Sequence, residues 1–182
     1  DYGSGIRYIY GNADEADSGT QDVGFPTDEG YKWNVEEMTA LPVEIGKTGW
    51  ATIYAAVALE IPSGVVAYYV EKENIAKDYL ILTAITDNVI PAFTGAILYA
   101  KDAIGTAKVY DFPITESSSS YNTNLLEGSI AKKIIPSEAY VLSEQNGVIG
   151  LYKAKMNLED NSAFLNNCHK AYLPIAGLSA LQ

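Results

Sequence analysis

Ile-Pro pairs punctuate the chain: Ile61-Pro62-Ser63-Gly64-Val65, Ile90-Pro91-Ala92 and Ile135-Pro136-Ser137, with Lys170-Ala171-Tyr172-Leu173-Pro174 near the end. Each pair lies beside a run of β-branched and aromatic residues. Proline disfavours helical backbone in the residue before it, so each isoleucine is pushed into an extended conformation. Proline also lacks an N–H, which confines it to the ends, edges and bulges of strands. The phrase therefore marks strand boundaries. Its uneven spacing excludes a solenoid repeat.

Between these marks the sequence reads as one short strand after another. Ile6-Arg7-Tyr8-Ile9-Tyr10 is an isolated strand, followed by a polar loop over residues 13–30. From Tyr31 the pattern is dense: an alternating stretch from Trp33 to Met38, a strand over Leu41–Ile45, and a continuous apolar run from Trp50 to Leu59, read as one buried strand. Ile61-Pro62-Ser63-Gly64 has the residues of a type I turn. Val65–Val70 and Tyr79–Thr86 read as strands flanking a polar loop with room for one helical turn. Gly95–Ala100 and Lys108–Ile114 read as the next antiparallel pair. Ser117-Ser118-Ser119-Ser120 is a surface loop. Asn146-Gly147 favours a type I′ turn, pairing Gln145 with Val148, Leu142 with Leu151 and Val141 with Tyr152. Leu158–Asn167 reads as a short helix and Lys170–Ile175 as a last strand. The expected fold is all-β: an antiparallel β-sandwich with short irregular loops and at most one or two short helices. Residues 1–30 form the tail of a preceding module or a linker with one edge strand, and residues 31–182 form the sandwich.

The residues for most chemistries are missing. With a net charge of −11 and a single arginine, Arg7, the chain lacks the basic surface that nucleic acid requires. His169 is the only histidine, which excludes a two-histidine zinc motif. Cys168 is the only cysteine, so no internal disulfide forms, and as neighbours on a strand Cys168 and His169 point to opposite faces. Gly46-Lys47-Thr48 ends like a phosphate-binding loop but has Leu41 where the first glycine belongs. Gly3-Ser4-Gly5 has Tyr8 where a dinucleotide fingerprint needs its third glycine. Asp14, Glu15, Asp17 and Asp22 carry calcium-type oxygens, but Ala16 breaks the EF-hand register, and the loop reads as solvated. Glu36 and Glu37 are adjacent strand residues that diverge, so they do not form a glycosidase pair. No metal or cofactor is expected. The longest apolar run, Trp50–Leu59, is far short of the roughly 20 residues of a membrane helix, so no membrane insertion is expected. Tyrosine stands out, with 14 against 4 Phe and 2 Trp. Its ring packs on strands while its hydroxyl finds a polar partner, which suits both strand packing and wet binding surfaces.

In order, Leu41-Pro42-Val43, Gly49-Trp50-Ala51-Thr52-Ile53-Tyr54, Ile61-Pro62-Ser63-Gly64-Val65 with Ala67-Tyr68, Val89-Ile90-Pro91-Ala92 with Thr94-Gly95, Asn124-Leu125-Leu126-Glu127-Gly128 and Lys170-Ala171-Tyr172-Leu173-Pro174 span most of the chain. In that order they resemble a C-terminal β-sandwich accessory module of secreted and surface proteins of gut Bacteroidetes. The departure is Ala55-Ala56, where that family often has proline. The resemblance implies a fragment of a longer chain, an extracellular or outer-surface location with a signal peptide upstream, and the parent chain's other domains as partners.

Three functions follow as expectations. The first is a non-catalytic structural or spacer module. The alternative is a carbohydrate-binding module of a glycan-degrading or adhesive protein, in which exposed Tyr or Trp rings stack on sugars, with glycan as a further partner and Tyr8, Tyr10, Tyr68, Tyr69 and Tyr121 as the candidate rings. A glycoside hydrolase is the third, and it requires two carboxylates facing each other across a cleft.

Overall fold

A computed structural model describes residues 39–72, 80–117, 119–154 and 164–175. The chain divides into two compact units, Asp1–Thr39 and Ala40–Gln182, and every element below belongs to the second. The strands are β1 (Ala40–Ile45), β2 (Trp50–Ile53), β3 (Ala58–Glu60), β4 (Val66–Lys72), β5 (Leu80–Ala84), β6 (Val89–Ile90), β7 (Ala96–Tyr99), β8 (Lys108–Thr115), β9 (Glu127–Ser129), β10 (Lys133–Ile135), β11 (Ala139–Gln145), β12 (Val148–Lys153), β13 (Phe164–Asn166) and β14 (Lys170–Pro174). The only helical piece among the described residues is the 3-10 turn Lys101–Ala103. The fold is all-β and antiparallel, as a sandwich requires.

Three four-stranded sheets carry the architecture, ordered β1-β8-β3-β6, β2-β7-β4-β5 and β12-β11-β14-β9, with β10-β13 as a separate ribbon. The first sheet is amphipathic. Leu41, Val43 and Ile45 alternate with exposed Pro42 and Glu44, and Leu41 stands opposite fully buried Phe112. Alternation of this kind is what a sheet shows when it covers a core on one face only. The second sheet differs. Ala96, Ile97 and Leu98 are consecutive and all buried, and so are Ala51, Thr52 and Ile53 on the neighbouring strand. Consecutive residues of a strand point to opposite faces, so this sheet is covered on both. On one of those faces Val70 and Ile97 pack with Leu126 and Leu173, against which Tyr140 and Leu151 also rest. Strands β11, β12 and β14 thus form a further layer over the second sheet.

The Ile-Pro phrases fall where the backbone argument puts them. Ile90 closes β6, Ile135 closes β10, and Ile61 follows the last residue of β3, with all three isoleucines buried. The hairpin on Asn146-Gly147 has the expected register, Gln145↔Val148, Leu142↔Leu151 and Val141↔Tyr152, and both turn residues have positive φ (52° and 77°).

Several expectations are corrected. Trp50–Leu59 is not one strand: β2 ends at Ile53, and β3 begins at Ala58 in a different sheet. The cause is a change of hydrogen-bond partners. The Tyr54 N–H donates to the His169 carbonyl, and the Ala55 carbonyl accepts from Phe93, so the ladder of β2 with β7 stops. Gly95–Ala100 and Lys108–Ile114 are strands, but they do not pair with each other. Strand β7 joins β2 and β4, while β8 joins β1 and β3, because the 3-10 turn and Gly105 (φ +85°) carry the chain between layers. The turn at Pro62 is closed by Val65 N–H to the Pro62 carbonyl, placing Gly64 third with φ +84°. A positive φ at that position belongs to a type II turn, not type I. Phe164–Asn166 is strand β13, paired with β10, where a helix was expected. Cys168 and His169 lie in a turn, with His169 at φ +55°, and not on a strand. The expected strands over residues 6–10 and 33–38, the acidic loop residues, Glu36, Glu37, the helical turn between β4 and β5, and Leu158 all lie outside the described residues.

One junction binds the layers at the end of β2. The Thr52 hydroxyl oxygen accepts the Ala171 N–H at 3.1 Å, and His169 Nδ1 lies 2.9 Å from the Tyr54 carbonyl oxygen. Gly128 in β9 sits directly under the Tyr54 ring: a Cβ there would lie 2.4 Å from Tyr54 Cβ and Cγ. Gly95 is similarly tight, with a Cβ meeting that of Leu126 at 2.8 Å.

Two predictions follow. Gly128→Ala should cost at least about 1–3 kcal/mol of stability in denaturant unfolding, because a ring on packed backbone cannot give way. Gly150→Ala, whose Cβ would meet nothing closer than 3.5 Å, should be near neutral in the same assay. Equal effects would refute the packing account. Separately, burial holds the His169 imidazole below its ordinary value, outweighing the Tyr54 carbonyl that favours the charged form. The folded state therefore binds fewer protons than the unfolded chain, and stability should fall as pH drops below about 6.5. His169→Asn keeps a side-chain donor and tolerates the left-handed backbone. It should flatten that acid limb of the pH–stability curve.

Candidate functional site

Tyr68 and Tyr69 are neighbours on β4 and so project from opposite faces of the second sheet. Tyr69 stacks on Tyr121, with ring centroids 4.7 Å apart and planes at 29°. The Tyr121 hydroxyl donates to Asp87 Oδ1 at 2.7 Å. Beside them Glu71 accepts hydroxyl hydrogen bonds from Thr83 (2.6 Å) and Thr123 (3.1 Å), one on each carboxylate oxygen. Two of the expected stacking residues are therefore brought together, but one ring face of each is used on the other. Tyr8 and Tyr10 lie outside the described residues.

This cluster clamps a loop. Asn124 completes it: its Oδ1 accepts from Val70 N–H and Leu126 N–H, and its amide donates to the Gly95 carbonyl at 2.9 Å. Leu125 N–H then donates to the Val70 carbonyl at 2.7 Å. A single side chain thus satisfies backbone groups on three segments, which would otherwise be left without partners. Partial burial raises the Asp87 carboxyl, but hydrogen bonds from Tyr121, Ser119 and the Val89 backbone outweigh it and hold the group below its ordinary value. Burial, then the hydrogen bond and charge of Asp87, push the Tyr121 phenol up to about 12. Tyr172 is pushed to about 12 as well, by burial and by Glu127, to which its hydroxyl donates.

Tyr68 joins a different cluster. On its face of the sheet Trp50 packs against Tyr99 (centroids 4.6 Å) and lies 6.2 Å from Tyr68. Trp50 also walls a concavity of about 310 Å³ between the β1–β2 loop and the β11–β12 hairpin, with Glu44, Thr48, Ser143, Glu144 and Lys170 around it. A second concavity, about 430 Å³, shares Thr52, Leu142 and Lys170 with the first and continues toward Phe164 and Asn166. Lys170 therefore stands at the middle of one groove. Burial pulls its ammonium below the usual lysine range, and the Glu44 carboxylate offsets part of that. A Trp ring was expected as a sugar platform without a position being named, and Lys170 only as a strand residue; nothing in their spacing signals that a hairpin from residues 139–153 arrives opposite them.

Among the described residues no three His, Cys, Asp or Glu side chains gather to hold a metal ion. No described helix is long and apolar enough to cross a membrane. Cys168 is a free, half-buried thiol.

A pH titration checks the tyrosine assignments. Because the folded Tyr121 and Tyr172 phenols hold their protons beyond the ordinary value near 10, the unfolded chain loses protons first, and stability should decline between about pH 10 and 12. Tyr121→Phe and Tyr172→Phe should each reduce that slope, read by denaturant unfolding across the range. An unchanged slope in both variants would refute the assignment. Comparison with family models, with curated proteins and with solved structures returned no match.

Proposed function

We propose that this chain is a non-catalytic accessory module, acting as a structural or spacer element of a larger extracellular or cell-surface protein whose other domains are its partners. The observation that supports this reading is where the distinctive residues meet. Tyr54, Gly95, Leu126, Gly128 and Ala171 come from four stretches of the sequence and form one chain of contacts: Gly128 lies against Tyr54, Ala171 pairs with Gly128, and Gly95 lies against Leu126 and Ala171. Asn124 ties the same region to β4. Side chains in such contacts hold layers together. The acidic groups of the tyrosine cluster are engaged in the same way, with Glu71 and Asp87 accepting from Thr83, Thr123 and Tyr121.

The test uses the full-length gene product. Deleting residues 40–182 should lower the unfolding temperature of the remaining domains by several degrees or reduce the amount reaching the cell surface, while any catalytic rate per folded molecule stays within about twofold. Turnover of a panel of chromogenic glycosides by the isolated 182-residue chain, lost on Glu71→Gln or Glu144→Gln, would overturn the reading.

A further inference from the structure

The groove centred on Lys170 has a composition that the accessory role does not use. It is walled by an indole on one side and carries two carboxylates, Glu44 and Glu144, with one ammonium between the two concavities. Among the described residues the close ion pair is Lys153 with Glu138, while the Lys170 ammonium feels the Glu44 carboxylate through charge. Trp50 packs against Tyr99 and lies near Tyr68 on the same face of the sheet, contacts that restrain its ring. Preorganised polar groups beside an aromatic wall are what a small-ligand site needs.

We propose that this groove binds a neutral oligosaccharide, with one sugar ring laid on the Trp50 indole and its hydroxyls hydrogen-bonded to Glu44, Glu144 and Lys170. The charge pattern selects this class. Two carboxylates against one ammonium, on a molecule of net charge −11, repel a polyanion. A wholly apolar ligand would bury those three charged groups without partners, which is costly. A sugar has what both demand: C–H groups on one ring face for the indole, and hydroxyls that donate to carboxylates and accept from an ammonium. The two concavities, about 430 and 310 Å³ and both lined by Thr52, Leu142 and Lys170, offer space for more than one sugar unit. This adds a binding activity to the accessory role and does not depend on it.

An array of neutral oligosaccharides, followed by calorimetry on the hits, tests the proposal with the intact 182-residue chain. At least one neutral oligosaccharide should bind saturably. Lys170→Met and Glu144→Gln should each weaken it about tenfold or more, the loss expected for a hydrogen bond to a charged group. Circular dichroism and thermal unfolding should show both variants folded. Lys132→Met, exposed and outside both concavities, should bind as the parent does. The proposal is overturned if no neutral oligosaccharide binds, if only acidic polysaccharides or peptides bind, or if binding survives both groove substitutions. None of those outcomes touches the accessory reading, which stands or falls on turnover and on the deletion above.

Discussion

The structure depends on strand β2 serving two layers at once, and the contact that permits this is between Tyr54 and His169. Up to Ile53 the strand belongs to the β2-β7-β4-β5 sheet. At Tyr54 its N–H turns to the His169 carbonyl, and the His169 ring lies against the Tyr54 carbonyl in return. The exchange satisfies the backbone groups freed where the ladder ends, which buried backbone demands. It also fixes the turn before β14, so that Ala171 meets Thr52 and Leu173 drops onto Ile97 and Val70. Burial on the second face of the middle sheet follows from that placement. Gly128 is the space in which the Tyr54 ring lies, and no other residue type fits there without moving backbone.

What was legible in the sequence was whatever is decided locally. Asn146-Gly147 sets the register of six pairs, because two consecutive positive φ values allow only one tight connection. The Ile-Pro phrases located strand ends for the same reason, since proline restricts its own and the preceding residue. Partner choice was not legible. Strands β7 and β8 are consecutive and of the right length, yet they lie in different sheets, and only the left-handed Gly105 and the short 3-10 turn hint at the change of layer. The apolar run from Trp50 to Leu59 gave no sign of its break, because a chain buried in one layer and then in another is apolar throughout.

The candidate site was legible in residue type and not in orientation. Tyr69 and Tyr121 do meet, but a tyrosine facing another tyrosine and one facing solvent have the same letter and the same neighbours in sequence. Lys170 was invisible as a functional residue: its chemistry depends on Trp50 and Glu144, which arrive from far along the chain. The tyrosine excess now divides physically. Tyr69, Tyr121 and Tyr172 have hydroxyls or rings engaged in the clamps, while Tyr68 and Tyr99 buttress Trp50.

The Tyr54–His169 contact joins residues 115 positions apart, and that separation has a consequence for synthesis. A ribosome adding about 5–20 residues per second leaves the end of β2 without its partner for roughly 6–23 s. During that interval Ile97 and Val70 have no Leu173 to cover them, and the middle sheet presents an apolar face to whatever is near. The last layer to be made is therefore the one that seals the molecule. Interruption of translation shortly before β14 releases a chain with most of its strands and an open apolar side, a surface on which copies of the chain can associate.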